Sequence, residues 1–212
     1  MTKDHQTEKV FRIIGASNHS EEDRHEQDFY TTDPDCVKDL LEVETFNHEV
    51  LEPCCGCGNI SEVLVENGYD VLSTDLFDHN YGVPGVDYKS YTNIDRDIIT
   101  NPPFGVVTDF ITHMLNELQP GHKMALFLKL QFLEGQSRYA DIFSRGNLET
   151  VYIYSKRVTC YKDNEMYVKN KDGSFVLDKD GNKKKVPSAV CYCWYVFNKD
   201  YQGNPTIKWI NK

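Results

Sequence analysis

The stretch Glu49-Val-Leu-Glu52-Pro-Cys-Cys-Gly56-Cys-Gly58-Asn-Ile-Ser-Glu-Val-Leu-Val-Glu-Asn-Gly68-Tyr-Asp70-Val-Leu-Ser-Thr-Asp75 decides the architecture. A short strand ends at Leu51-Glu52, and Cys54 to Gly58 forms a turn whose glycines accept positive φ. Ile60 to Asn67 follows helical spacing and stops at Gly68, and Asp70 to Thr74 is a second strand ending at Asp75. The unit is β-α-β. In open sheets built from such units a ligand sits at the carboxyl ends of the strands, where a glycine turn lets backbone approach it. Gly56-x-Gly58 lacks the third glycine of the dinucleotide fingerprint. Asp75, 17 positions beyond Gly58, stands where a carboxylate accepts ribose hydroxyls. The residues by themselves point to a ligand that contains a nucleoside.

Outward from this unit the alternation continues. Asp97 to Thr100 reads as a strand, Val106 to Leu118 as an amphipathic helix closed by Pro120-Gly121, Lys123 to Leu130 as an apolar strand, Gln136 to Ser144 as a helix and Thr150 to Tyr154 as a strand. Upstream, Asp33-Pro34 opens a helix running to about Glu44, with Val37, Leu40 and Leu41 at helical spacing. Lys156 to Pro187 breaks the pattern. Lys171-Asp172-Gly173-Ser174 and Lys179-Asp180-Gly181-Asn182 are turns around Phe175-Val176-Leu177, so a projecting β excursion is expected there. Ala189 to Phe197 is nearly continuously apolar and returns as a buried strand, and no internal repeat is read. The predicted fold is α/β, a parallel sheet with helices on both faces. Residues 1–27 are expected to form a loosely ordered acidic arm, which leaves 28–212 as one domain, and the 40% hydrophobic content gives that domain a sizeable core.

Glu52-Pro53-Cys54-Cys55-Gly56-Cys57-Gly58 resembles motif I of class I methyltransferases, and Asp75 resembles their motif II. The resemblance implies a seven-stranded, mostly parallel sheet with a β-hairpin excursion near the C-terminus and its last strand, Ala189 to Phe197, antiparallel, and it implies S-adenosylmethionine as cofactor. It implies that Glu52 helps to seat the methionine ammonium, that Pro53, Cys54, Gly56 and Gly58 admit the methionine, that Asp75 with Leu76 meets the ribose, and that Asp87-Tyr88 borders the adenine. Phe29 to Pro34 resembles the Tyr-x-Thr-Pro segment of DNA amino-methyltransferases, which implies Tyr30 and either Thr31 or Thr32 at the methionine carboxylate. Asp33 interrupts the Thr-Pro pair and leaves the two threonines undecided.

Asn101-Pro102-Pro103-Phe104 resembles motif IV of amino-methyltransferases and is the most specific motif in the chain. Two successive prolines fix their own φ and cannot continue a strand ladder, so the loop is stiff. Stiffness suits the chemistry. The lone pair of an exocyclic amine such as adenine N6 is delocalised into the ring and attacks a sulfonium methyl poorly. Hydrogen bonds accepted from both N–H groups, by the Asn101 side-chain oxygen and the Pro102 carbonyl, favour the developing ammonium, while Phe104 stacks on an extruded base. The same tetrapeptide serves adenine in DNA, adenine or guanine in RNA, and protein glutamine amides. Leu126 to Arg138 and Val151 to Arg157 resemble small phage-encoded proteins grouped with DNA adenine methyltransferases. Adenine N6 in DNA is therefore expected first and RNA adenine second. A domain that binds nucleic acid or cofactor without turnover is the reading from another class.

The net charge of −10 argues against a general nucleic-acid coat, but it is unevenly spread: residues 1–50 and 51–149 each carry −8, and 150–212 carry +6. If a polyanion such as DNA is bound, Lys156, Arg157, Lys183, Lys184 and Lys185 are the expected phosphate contacts. Seven cysteines, five of them crowded at Cys54, Cys55, Cys57, Cys191 and Cys193, suit reduced thiols. Cys54-x-x-Cys57 has zinc-knuckle spacing but no second pair follows it, so no metal is expected, and Cys191 and Cys193 are expected on one face of a strand. The polar start and the lack of an apolar run of about 18 residues predict a cytoplasmic protein.

Overall fold

The expected alternation is present in the computed structural model, which describes residues 30–162, 164–188 and 190–212; the expected arm, 1–27, lies outside the described residues. In chain order the elements are β1 (Tyr30–Thr32), α1 (Pro34–Val43), β2 (Glu49–Glu52), α2 (Asn59–Glu66), β3 (Asp70–Ser73), β4 (Asp97–Thr100), α3 (Val107–Glu117), β5 (Lys123–Lys129), α4 (Gln136–Asp141), β6 (Leu148–Tyr154), β7 (Cys160–Lys162), β8 (Tyr192–Asn198) and β9 (Thr206–Ile210). Among the described residues a seven-stranded sheet runs in the order β3-β2-β4-β5-β8-β6-β9. Strands β3, β2, β4 and β5 are parallel, β8 is antiparallel to both β5 and β6, and β9 is parallel to β6.

Both faces are covered. Helices α1 and α2 bury Val37, Leu40, Ile60, Val63 and Leu64 in one core, and α3 buries Phe110, Ile111, Met114 and Leu115 in the other. Strand β8 divides between them with period two: Tyr192, Trp194 and Val196 face the first core, Cys193, Tyr195 and Phe197 the second. A strand buried on both faces has no polar side to show, which is why this run reads as continuously apolar. Helix α1 starts as its sequence dictates, with Asp33 accepting from Asp35 N and Pro34 in the first turn.

Several expectations are corrected. Strand β8 is antiparallel but is not the last strand; β9 follows it, in a Thr-Ile-Lys-Trp-Ile alternation that the sequence reading passed over. The helix expected over 136–144 breaks at Ile142 (φ −123°, ψ −63°) into the six-residue α4 and a short 3-10 turn, Phe143–Arg145. Cys193 is buried in β8 whereas Cys191 precedes it and is exposed. A second sheet pairs β1 with β7, Thr31 opposite Tyr161.

The excursion does contain an internal repeat. Val168 N donates to Lys184 O (2.9 Å), Lys184 N to Val176 O (2.8 Å) and Val176 N to Val168 O (2.9 Å), a closed ring of three segments offset by eight residues. The turns obey the same offset, Gly173 N donating to Asn170 O (3.0 Å) and Gly181 N to Asp178 O (3.2 Å), with φ of +85° and +83° at the two glycines. Side chains spaced by eight meet: Lys183 Nζ lies 4.1 Å from the Phe175 ring centroid and 5.5 Å from that of Tyr167. Lys185 instead pairs with Asp33 (2.6 Å) and Asp35 (2.7 Å) at the start of α1. Of the five expected phosphate contacts, Lys183 and Lys185 are thus engaged within the protein, and Arg157 donates one N–H to Ser188 O (3.2 Å).

At the amino end of β4, the buried Asp97 carboxylate accepts from Asn47 N (2.6 Å), Asn47 Nδ2 (3.2 Å) and Lys123 N (2.8 Å) and lies 3.2 Å from His122 Nδ1. Asp97→Ala is expected to destabilise the fold by about 2–4 kcal/mol, because it orphans several donors at once; a lowered urea midpoint at unchanged slope is the check.

Candidate active site

Because β2, β3, β4 and β5 are parallel, the residues at their carboxyl ends, Glu52, Ser73, Thr100 and Lys129, share one edge of the sheet. The glycine turn between β2 and α2 lies on that edge, with φ of +50° at Gly56 and +85° at Gly58. Asp75 is tied to it: one carboxylate oxygen accepts from Gly56 N (2.9 Å) and the other from Phe77 N (2.9 Å). Two lone-pair positions of the carboxylate remain for a ligand. Tyr81 closes over the turn from the following loop, so near that a Cβ added to Gly58 would meet its ring at 2.5 Å. Leu76 is largely exposed beside Asp75.

Glu52 does not face solvent. It is buried and accepts a hydrogen bond from Ser61 Oγ, whose oxygen also meets Ser73 Oγ. Burial pushes the Glu52 carboxyl well above the ordinary carboxylate range, and the negative Asp75 pushes it the same way. Burial likewise raises the thiols of the turn, Cys55 to about 12, so these cysteines pack as neutral groups. Cys54 sits against Thr100 and thereby joins the glycine turn to the end of β4. Asp87 is exposed and accepts from Lys89 N (2.9 Å), and Tyr88 turns toward α3, its hydroxyl donating to Asp109 (2.8 Å) and its ring 5.0 Å from Phe110.

Beyond β4 the chain leaves the sheet at Asn101. Its Nδ2 donates to Tyr30 O (3.0 Å) and approaches Cys160 Sγ (3.7 Å), so the amide nitrogen is turned into the β1–β7 pair and Oδ1 is left as an acceptor. Pro102 is buried and Pro103 exposed. Phe104 stands among Tyr30 (ring centroids 5.8 Å) and Tyr192 (6.1 Å), with Lys129 Nζ 4.3 Å from its centroid. In β1, the Thr31 and Thr32 hydroxyls are buried, the residues 5% and 2% exposed, and neither has a hydrogen-bond partner among the described residues. Four residues at this edge escaped the sequence reading: Tyr81, Lys129, Cys160 and Tyr192. A lysine closing an apolar strand reads as a solvated end, and nothing local marks a loop tyrosine that folds back over a turn 23 residues earlier.

No known protein-family profile and no curated protein matches the chain. Solved structures do match it. A protein of Vibrio vulnificus assigned as a modification subunit of a type I restriction enzyme superposes on 94% of this chain with a TM-score of 0.57 at 14% identity. The type IIG restriction endonuclease BpuSI matches 89% of it (TM-score 0.53, 12% identity). A protein of Listeria monocytogenes assigned as a class I S-adenosylmethionine-dependent methyltransferase matches 99% (TM-score 0.52, 13% identity). The fold is that of class I methyltransferases. The chain spans 49% of the Vibrio protein, 27% of BpuSI and 73% of the Listeria protein. On this methyltransferase fold, residues between β3 and β4 supply two isolated parallel bridges, Thr74 to Val83 and Ile94 to Leu118, and a 3-10 turn, Tyr88–Ser90.

The buried acid gives a prediction about stability. With its carboxyl raised in the folded state, Glu52 favours folding most below the ordinary value of 4.5, and that contribution is lost as pH rises from there toward the raised value, because the unfolded chain ionises first. Glu52→Gln removes this dependence and retains an acceptor for Ser61. Thermal melts between pH 5 and 9 should show the wild-type midpoint falling relative to that of the variant; parallel curves would mean that Glu52 is already ionised in the fold.

Proposed function

We propose that the chain transfers the methyl group of S-adenosylmethionine to an exocyclic amine, with adenine N6 in DNA as the target. The observation that carries this reading is the orientation of Asn101. Its Nδ2 is committed to Tyr30 O at 3.0 Å, so the acceptor Oδ1, rather than the donor, is available to a substrate amine. The Pro102 carbonyl supplies the second acceptor, held by the stiffness of Pro102-Pro103. Two acceptors on one amine draw its lone pair out of conjugation and stabilise the positive charge that grows on nitrogen. Phe104 offers its ring to the extruded base.

The residues fit the cofactor. Adjacent residues of a strand point to opposite faces, so one of the buried Thr31 and Thr32 hydroxyls, without a partner among the described residues, supplies a donor for a carboxylate; the Gly56–Gly58 turn brings backbone close, and Asp75 keeps acceptor capacity for a ribose. When bound, S-adenosylmethionine supplies an electrophilic methyl group on a sulfonium; Asn101, Pro102 and Phe104 hold the acceptor nitrogen in line with it. DNA ranks first among targets because two of the structural neighbours are described as restriction–modification proteins and because the positive charge lies in the C-terminal third. Lys156, Arg157 and Lys184 are the phosphate contacts we assign, Lys183 and Lys185 being held inside the excursion and against α1.

Incubation of the protein with labelled S-adenosylmethionine and DNA, RNA or protein pools, followed by digestion, should yield N6-methyladenine from DNA. Label recovered from RNA or from glutamine would replace DNA as the target, and no label in any pool would overturn the reading. Asn101→Ala should lower kcat by about 10²–10³ with cofactor affinity changed only a few fold. Asp75→Ala should weaken cofactor binding by about 1.5–3 kcal/mol in calorimetry. Combined loss of turnover and cofactor binding in Asn101→Ala would assign that residue a structural role instead.

A further inference from the structure

Lys129 closes β5 immediately beside the Asn101 loop, directly opposite Tyr192 in the β5–β8 ladder. Its ammonium lies 4.3 Å from the centre of the Phe104 ring, and among the described residues it forms no ion pair. Elsewhere in the protein lysines meet carboxylates: Lys123 pairs with Glu44, Lys185 with Asp33 and Asp35, and Lys212 with Asp39 and Glu42. Asp33, whose charge is felt at Cys160 beside Asn101, is already taken by Tyr161 and Lys185. An unpaired cation therefore rests on the aromatic face that a substrate ring would need.

Two consequences follow from magnitudes. Base–aromatic stacking is generally stronger than a partly exposed cation–π contact, so an arriving base displaces the ammonium from Phe104. The displaced ammonium then stands beside a nitrogen that becomes positive during methyl transfer. At the spacing of neighbouring side chains and an effective dielectric of about 20, such repulsion slows the step by at least roughly tenfold. A substrate that arrives with its own anion next to the reacting ring relieves this, and a neutral amide side chain does not.

Resting on the methyltransferase reading above, we propose that Lys129 is a positioning and specificity residue: it leaves Phe104 when the target base stacks and pairs with a backbone phosphate flanking that base. The substrate is accordingly a nucleotide within a phosphodiester chain rather than a protein amide. The four flexible bonds of a lysine side chain allow this swing, and a compact ammonium pairs with a phosphate as a point charge.

The test uses the full chain and short adenine-containing oligonucleotides whose linkages beside the target are either phosphate or neutral methylphosphonate. For the wild type, neutralising the flanking linkage should lower kcat/KM about tenfold. Lys129→Met removes the repulsion together with the phosphate pair, so its kcat/KM should be indifferent to the neutral linkage, while Lys129→Arg should keep most of the wild-type rate and its sensitivity. Melting curves establish that the variants are folded. A Lys129→Met enzyme still sensitive to the neutral linkage, or a wild type indifferent to it, would overturn the role of Lys129 while leaving the methyltransferase reading intact. A wild type that methylates no oligonucleotide would overturn the nucleotide reading itself, and this inference with it.

Discussion

The candidate site depends on a carboxylate at the far end of the strand that carries it. Strand β4 is four residues long and buried throughout, and it hands the chain directly to Asn101. So short a strand has little ladder of its own to fix its register, and Asp97 supplies the fixing. By gathering donors from Asn47 and Lys123, and meeting His122, it clamps the start of β4 to the approaches of β2 and β5. The sheet then transmits that register to the opposite edge, where errors in the position of Asn101 matter.

At that edge the structure favours fixed polar partners over free charge. Asp75 is held by two backbone amides, Glu52 is buried as an acid against Ser61, and the turn cysteines are neutral thiols. Asn101 is likewise oriented by backbone, through Tyr30 O in the strand that pairs with β7. The loop that would present an acceptor to substrate is therefore bonded to β1, whose partner β7 is the strand from which the excursion departs, and displacement of one bears on the other.

What could be read from the sequence was whatever rests on local periodicity or local turn chemistry. The β-α-β unit around Gly56 and Gly58, the cap at Asp33 and the doubly buried β8 all announce themselves within ten or so residues. Long-range arrangements did not. The β1–β7 pair joins segments about 130 positions apart, the Asn101–Tyr30 bond spans 71, and each strand of the pair is only three residues long, too short to show alternation. The basic cluster illustrates a further limit. Lys183, Lys184 and Lys185 look equivalent in sequence and all are exposed, yet Lys183 lies over two rings and Lys185 joins two aspartates, while Lys184 between them points to the other side of the extended segment. The eight-residue repeat was visible as Lys-Asp-Gly at two places but was legible as a repeat only once the third segment, with no such turn, was seen to close the ring.

That closure bears on how a protein can carry a projecting β segment at all. A hairpin that stands away from its domain ordinarily offers an unpaired edge on which another chain can add a strand, a hazard that sheets blunt with charge, bulges or cover. In the ring formed by Val168, Val176 and Lys184 each segment bonds to both of the others, so at that level no edge is left open. The excursion is in this respect a miniature barrel: at that level its segments offer no template for self-association, a protection that β9, which among the described residues pairs with β6 alone, does not share.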